Sequence, residues 1–328
     1  MLSSYIAVAV TSGFVQPNPQ SSFHQYRLER VLKGKFRTSF RQSVASYSGQ
    51  IVYPVPPDDP NQEIVACTMS VSKNGTLLDS KKLSASEPAN QEVMICDVDS
   101  PGYVELLVQV DWKYYETRLS PTNSPVEVKA LGDREKADAL KTPWRTKDEK
   151  DWFGRFLTTN NLWKLDSETD LDFAVRAEQF EAANFRYQIP DRELSDVLAR
   201  WKQVLDSQSG ECWRLSDLLA QILRQNGIPV RTTSGNLTDG RHHVRDLVYL
   251  NKVGWTPVEA TTAVCRQNIN GTFGSWGDTT MLNGNWTTNV VTATKKGNVR
   301  VGTFDKPMWL PTTGNLWFTE NPTSVSFR

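Results

Sequence analysis

The chain has 328 residues, of which 38% are hydrophobic and 23% charged, the composition of an ordinary globular protein with room for about two domains. Lys+Arg and Asp+Glu both total 37, so no net field draws in nucleic acid or an anionic membrane. No stretch approaches the ~20 apolar residues of a membrane-spanning helix. The four cysteines, Cys67, Cys96, Cys212 and Cys265, show neither metal-ligand spacing nor a disulfide framework.

The N-terminus has only a short apolar run, Tyr5–Val10, and lacks the basic and long apolar regions of a secretory leader. It reads as a first strand, and the cytoplasm is the expected compartment. Residues 1 to about 130 continue as strands: Gln50–Val55, Ile64–Val71, Glu92–Val98 and Tyr103–Trp112 are rich in β-branched and aromatic residues. Turn clusters separate them, at Pro56-Pro57-Asp58-Asp59-Pro60, Lys73-Asn74-Gly75 and Asp99-Ser100-Pro101-Gly102. Regular short strands punctuated in this way predict a β-sandwich. The stretch Gly132–Lys150 is charged and poor in large apolar residues, and reads as a linker or a solvated, partly helical connection.

Beyond it the period changes. Leu171–Tyr187 places Phe173, Ala174, Ala177, Phe180 and Ala183 at helical spacing, and Asp191–Leu205 is a second helix candidate. In the third, Leu215, Leu218, Leu219, Ile222 and Leu223 form one continuous apolar face. Gly227 follows as a left-handed cap and Pro229 blocks continuation, so Cys212 falls at or beside the first turn. Strands Pro229–Thr233, His243–Leu250 and Trp255–Glu259 come next. The last 60 or so residues read as irregular β structure.

A thiol at a helix N-terminus meets unpaired N–H groups and aligned peptide dipoles that favour its thiolate, and the same N–H groups can steady an oxyanion. Cys212 is placed for that effect, whereas Cys67, Cys96 and Cys265 fit inert thiols in strand-like segments. Of three histidines, His24 stands apart and His242 and His243 are adjacent on a strand, so only one of that pair can face Cys212. Glu259, on the following strand, is in place to bond the far imidazole nitrogen and complete a Cys–His–carboxylate set. The plainer reading makes it a solvated strand end.

Four blocks in order carry a resemblance: Gly210-Glu211-Cys212-Trp213; Leu219–Arg224 with Asn226-Gly227-Ile228-Pro229-Val230-Arg231 and Ser234-Gly235; His243-Val244-Arg245 with Tyr249-Leu250; and Gly254-Trp255-Thr256-Pro257-Val258-Glu259. Together they resemble the transglutaminase-like core. Weaker similarity extends to the N-terminal β domain of the bacterial members (Val52-Tyr53-Pro54-Val55-Pro56, Asn61-Gln62). It also extends to their C-terminal segments (Phe273-Gly274-Ser275-Trp276, Asn285-Trp286, Pro307-Met308-Trp309-Leu310-Pro311). The resemblance implies an α+β fold: a β-sandwich over residues 1–132, a charged linker over 133–150, and a papain-like catalytic domain with a β-rich extension over 151–328. It implies Cys212 as nucleophile, His243 as base and Glu259 as the acid that orients it, His243 being preferred to His242 because Arg245, Tyr249 and Leu250 then fit the pattern. The family usually has Asp where this chain has Glu259.

The activity implied is acyl transfer on amide or peptide bonds through a thioester, with hydrolysis as the first expectation. Amine transfer and a catalytically inactive peptide-binding fold are the alternatives. The expected partner is a peptide or protein substrate, or an acyl donor with an amine; no metal, organic cofactor, nucleic acid or membrane is implied.

Overall fold

The computed structural model describes residues 25–84, 92–122, 127–190, 194, 196–237, 242–274, 281–286, 290–294, 297–301, 308–312 and 324–327. The strand expected at Tyr5–Val10, and His24, lie outside them. The architecture is α+β, with a strand-rich N-terminal part. Its strands are β1 (Gln25–Val44), β2 (Gly49–Pro54), β3 (Gln62–Lys73), β4 (Thr76–Leu78), β5 (Ser80–Ser84), β6 (Glu92–Val98) and β7 (Val104–Thr122). There follow α1 (Asp133–Ala139), α2 (Lys147–Thr159), α3 (Asp170–Asn184), β8 (Arg186–Tyr187), α4 (Val197–Ser207), β9 (Ser209–Gly210) and α5 (Cys212–Gln225). The remainder comprises β10 (Val230–Leu237), β11 (His242–Leu250), β12 (Gly254–Val258), α6 (Ala260–Arg266), β13 (Met281–Trp286), β14 (Val290–Thr294), β15 (Gly297–Val301), β16 (Met308–Pro311) and β17 (Ser324–Phe327).

Two antiparallel sheets, ordered β17-β1-β7-β3-β4 and β16-β2-β6-β5, share one core. From Val104 to Tyr114 of β7 the buried residues are Val104, Leu106, Val108, Val110, Trp112 and Tyr114, the period of two that a half-buried strand requires. Ile51 and Tyr53 of β2 and Cys96 and Val98 of β6 meet them from the other sheet. Asn74 and Gly75 both take positive φ (50° and 81°), as a two-residue hairpin between β3 and β4 demands.

The helices pack around a second core. Helix α5 buries Leu215, Leu218, Leu219, Ile222 and Leu223 against the antiparallel sheet β12-β11-β10-β13, and ends where Gly227 turns to φ 76°. The segment Gly132–Lys150 is the partly helical connection expected and is largely unburied, though not wholly solvated. It contains α1, it buries Ala139 and Trp144, and Thr146 with Glu149 forms a reciprocal capping box that starts α2. Indole burial in the helical core outweighs the polar composition around it. Helix α4 begins at Val197 because the Asp196 carboxylate accepts from the Ala199 N–H at 2.7 Å. The C-terminal strands return to the beginning of the chain: β16 pairs with β2 and β17 with β1, covering edges that would otherwise present open backbone groups.

Candidate active site

Cys212 is the first residue of α5 and is half-buried. Its N-cap, Glu211, makes no side-chain cap bond, so the first-turn N–H groups are not taken by that residue's carboxylate. The approach to the cysteine is held by β9, which lies parallel to β8 with Arg186 opposite Ser209 and Tyr187 opposite Gly210. Gln188 N–H donates to the Gly210 carbonyl at 3.0 Å. A Cβ at Gly210 would stand 2.8 Å from the Arg214 Cβ, so the glycine two residues before the thiol is required by close approach.

His243 lies near the start of β11, opposite Gly235 of β10. The Ser216 hydroxyl, fully buried one turn after Cys212, helps tie this strand to the cysteine's helix by donating to the Val244 carbonyl at 3.2 Å. Sequence reasoning passed over Ser216, since a serine on an apolar helix carries no signal until its partner is known.

The structure corrects the placement of Glu259. Strand β12 stops at Val258, and Glu259 is the N-cap of α6, a helix absent from the sequence reading. Its Oε1 accepts from the Thr262 N–H at 3.4 Å and its Oε2 stands 2.8 Å from His243 Nε2. The carboxylate is 3% exposed, which removes the reading of a solvated strand end. The extra methylene that distinguishes Glu from Asp lets one side chain serve both contacts.

Burial works against a charge on His243, but bonds to Cys212 and Glu259, together with their negative charges, outweigh it, and the imidazole pKa is raised to about 9. Near neutral pH the ring is therefore an imidazolium. With Nε2 committed to Glu259, Nδ1 is the nitrogen left to meet the thiol. Burial pushes the thiols of Cys67 and Cys96 up to about 12 and about 11, and raises that of Cys265 as well. His242 is exposed.

Asp246, the other acid near the histidine in sequence, is fully buried and interacts with Thr232 and Arg224. Glu178 and Glu181 of α3 are buried beside it, acids at core positions of a helix whose apolar spacing alone gave no warning of them. Asp239 lies outside the described residues. Among the described residues no group of three or more His, Cys, Asp or Glu side chains is placed to hold a metal ion, and no helix is long and apolar enough to cross a membrane.

Residues 162–260, which include Cys212, His243 and Glu259, match the profile of the transglutaminase-like superfamily. That segment is a transglutaminase-like core. Solved structures similar to it include a candidate cysteine protease from Cytophaga hutchinsonii, at 12% identity, 93% of this chain, 100% of that chain and a TM-score of 0.47. Another is the periplasmic domain of TgpA from Pseudomonas aeruginosa, at 12% identity, 75% of this chain, 90% of that chain and a TM-score of 0.36. A search of curated proteins found no match. The matched segment runs from the loop after α2 to the first residue of α6, and so encloses α5 and strands β10 to β12.

Proposed function

We propose that this transglutaminase-like core is a cysteine-dependent acyl-transfer enzyme that hydrolyses amide or peptide bonds, with Cys212 as nucleophile, His243 as acid–base and Glu259 as its orienting carboxylate. The observation that carries the reading is the 2.8 Å contact between His243 Nε2 and Glu259 Oε2, on a ring whose other nitrogen is left for the thiol at the start of α5. In the imidazolium form Nε2–H donates to Glu259, which holds the ring orientation and balances its charge.

The chemistry follows from that state. The Cys212 thiolate attacks the acyl carbon, and charge moves to the carbonyl oxygen, where the Cys212 backbone N–H is the proposed donor. Collapse of the tetrahedral adduct breaks the C–N bond, and the imidazolium proton passes to the leaving amine. Neutral His243 then takes a proton from water as the water oxygen attacks the thioester. Release of the acid restores the thiolate–imidazolium pair. Cys212 is half-buried and Trp213 beside it is exposed, which supports access of water to the thioester.

The test is mass spectrometry of the intact protein after brief exposure to a peptide library and acid quench. A thioester adduct mapping to Cys212 in the wild type, absent in Cys212→Ser, is the expected result. Adding hydroxylamine reports whether an amine competes with water for the acyl group. No adduct from any library member, with Cys212 unreactive toward a thiol-directed electrophile, would sink the reading.

A further inference from the structure

Arg245 is among the largest fully buried side chains, with 0% of it exposed. An enclosed guanidinium has to be met by opposite charge, because taking a lone ion out of water costs several kcal/mol. Arg245 comes two residues after His243 on β11, so by strand period both project from the same side of the sheet. The register pairs Asp246 with Val258, the last residue of β12, which sets Arg245 beside the point where the chain turns into Glu259.

The groups whose charge or dipole acts on Arg245 come from two parts of the chain. Glu259 acts on it from the end of β12, and Tyr114 of β7 and Asp59 from the N-terminal sheets. Asp59 lies in the turn between β2 and β3. Its Oδ2 stands 3.9 Å from an Arg245 terminal nitrogen, with the carboxylate 1% exposed. That turn is cross-braced: Asp59 Oδ1 accepts from the N–H groups of Asn61 at 2.6 Å and Gln62 at 3.0 Å, and Asp59 and Gln62 exchange two backbone bonds.

We propose that Arg245 and Asp59 are positioning residues of the active site: Arg245 supplies the positive charge that keeps the buried Glu259 carboxylate aligned on His243, and the N-terminal turn fixes Arg245 through Asp59. The inference rests on the acyl-transfer reading above. It makes the N-terminal sheets part of the catalytic apparatus, because their turn holds the cation behind the triad.

The experiment compares Arg245→Met, Arg245→Lys, Asp59→Asn and the double variant Arg245→Met/Asp59→Asn. Each is assayed by steady-state turnover of a trapped peptide substrate, by the pH profile of Cys212 alkylation with iodoacetamide, and by thermal melting. Arg245→Met is expected to lower kcat about tenfold or more at a KM within about twofold of wild type, the pattern of an interaction made mainly in the transition state. It also moves the acid limb of Cys212 alkylation to higher pH by about one unit, because Glu259 loses its neighbouring cation. Asp59→Asn lowers kcat by a smaller factor at unchanged KM, and Arg245→Lys recovers part of the rate.

The double variant separates positioning from stability. Removing both charges leaves neither Arg245 nor Asp59 without its partner, and Glu259 keeps His243 at 2.8 Å, so melting stays near wild type, yet the slow kcat and displaced limb persist. Should Arg245→Met alone fail to fold, the double variant carries the comparison. A wild-type rate and profile in the double variant, or in either single replacement of charge, overturns the proposal. Wild-type protein in which Cys212 labels no faster than the other cysteines would instead overturn the underlying catalytic reading.

Discussion

Replacing Glu259 with Gln tests the candidate triad at its least ordinary member. The amide keeps the length of the side chain, so an oxygen remains for the Thr262 N–H that Oε1 now accepts at 3.4 Å, and the start of α6 is preserved. What is lost is the charge 2.8 Å from His243 Nε2. The imidazole stands at about 9 against its ordinary 6.5, a preference for the charged ring of about 3.4 kcal/mol at ~1.36 kcal/mol per tenfold. Burial opposes that preference, and Cys212 and Glu259 supply it together. A loss of about 2 kcal/mol is ~30-fold in rate and a loss of the whole is ~300-fold, so kcat should fall by ~100-fold with KM little changed. Glu259→Asp retains charge but withdraws the carboxylate by about one C–C bond, ~1.5 Å, while making a better helix cap; it should fall between wild type and Gln. The assay is steady-state turnover with melting as the check on folding. Because the folded-state pKa of His243 is raised, its stabilisation is full below about pH 6.5 and is lost as pH rises through about 9. Glu259→Gln should flatten that decline. Wild-type turnover in the Gln variant at an unchanged melting temperature would refute the assignment.

Three further outcomes are expected. Cys212 should alkylate fastest of the four cysteines near neutral pH, since burial pushes Cys67 and Cys96 up to about 12 and about 11 and raises Cys265; peptide mapping after a timed quench reads the order, and equal labelling of any of these at mildly acidic pH contradicts it. His243→Ala should abolish single-turnover acylation whereas His242→Ala, altering an exposed side chain, leaves most of it; the reverse ranking moves the base to His242. Glu178, raised to about 8 by burial and by the charges of Glu259 and Asp246, binds a proton in the folded state that the unfolded chain releases near 4.5. Stability from this group is therefore full below about pH 4.5 and falls as pH rises through about 8, and Glu178→Gln should make melting temperature less dependent on pH over that window.

Much of the scaffold around Cys212 was legible because it depends on neighbours in sequence. The five apolar positions of α5, the glycine that ends it and the proline beyond it are local signals, and they place the cysteine at the helix start in both readings. Strands β2, β3, β6 and β7 likewise announced themselves by composition and turns, although β7 runs ten residues beyond the expected end at Trp112. The capping box at Thr146 and Glu149 was present in the text but outweighed by the surrounding charge, so α2 and the burial of Trp144 were missed.

The sequence by itself determined the class of fold, the helix that presents the thiol and the strand that carries the histidine, since period and capping are set within a few residues. Only the tertiary structure decided that Glu259 is a buried helix cap, that Ser216 anchors α5 to β11, and that an N-terminal turn places Asp59 against Arg245. It also decided that the last strands complete sheets begun near the start of the chain. Each of these joins residues far apart in sequence or makes a polar side chain's role depend on what encloses it. A one-dimensional pattern carries no record of such enclosure, because burial and charge balance are properties of the packed whole.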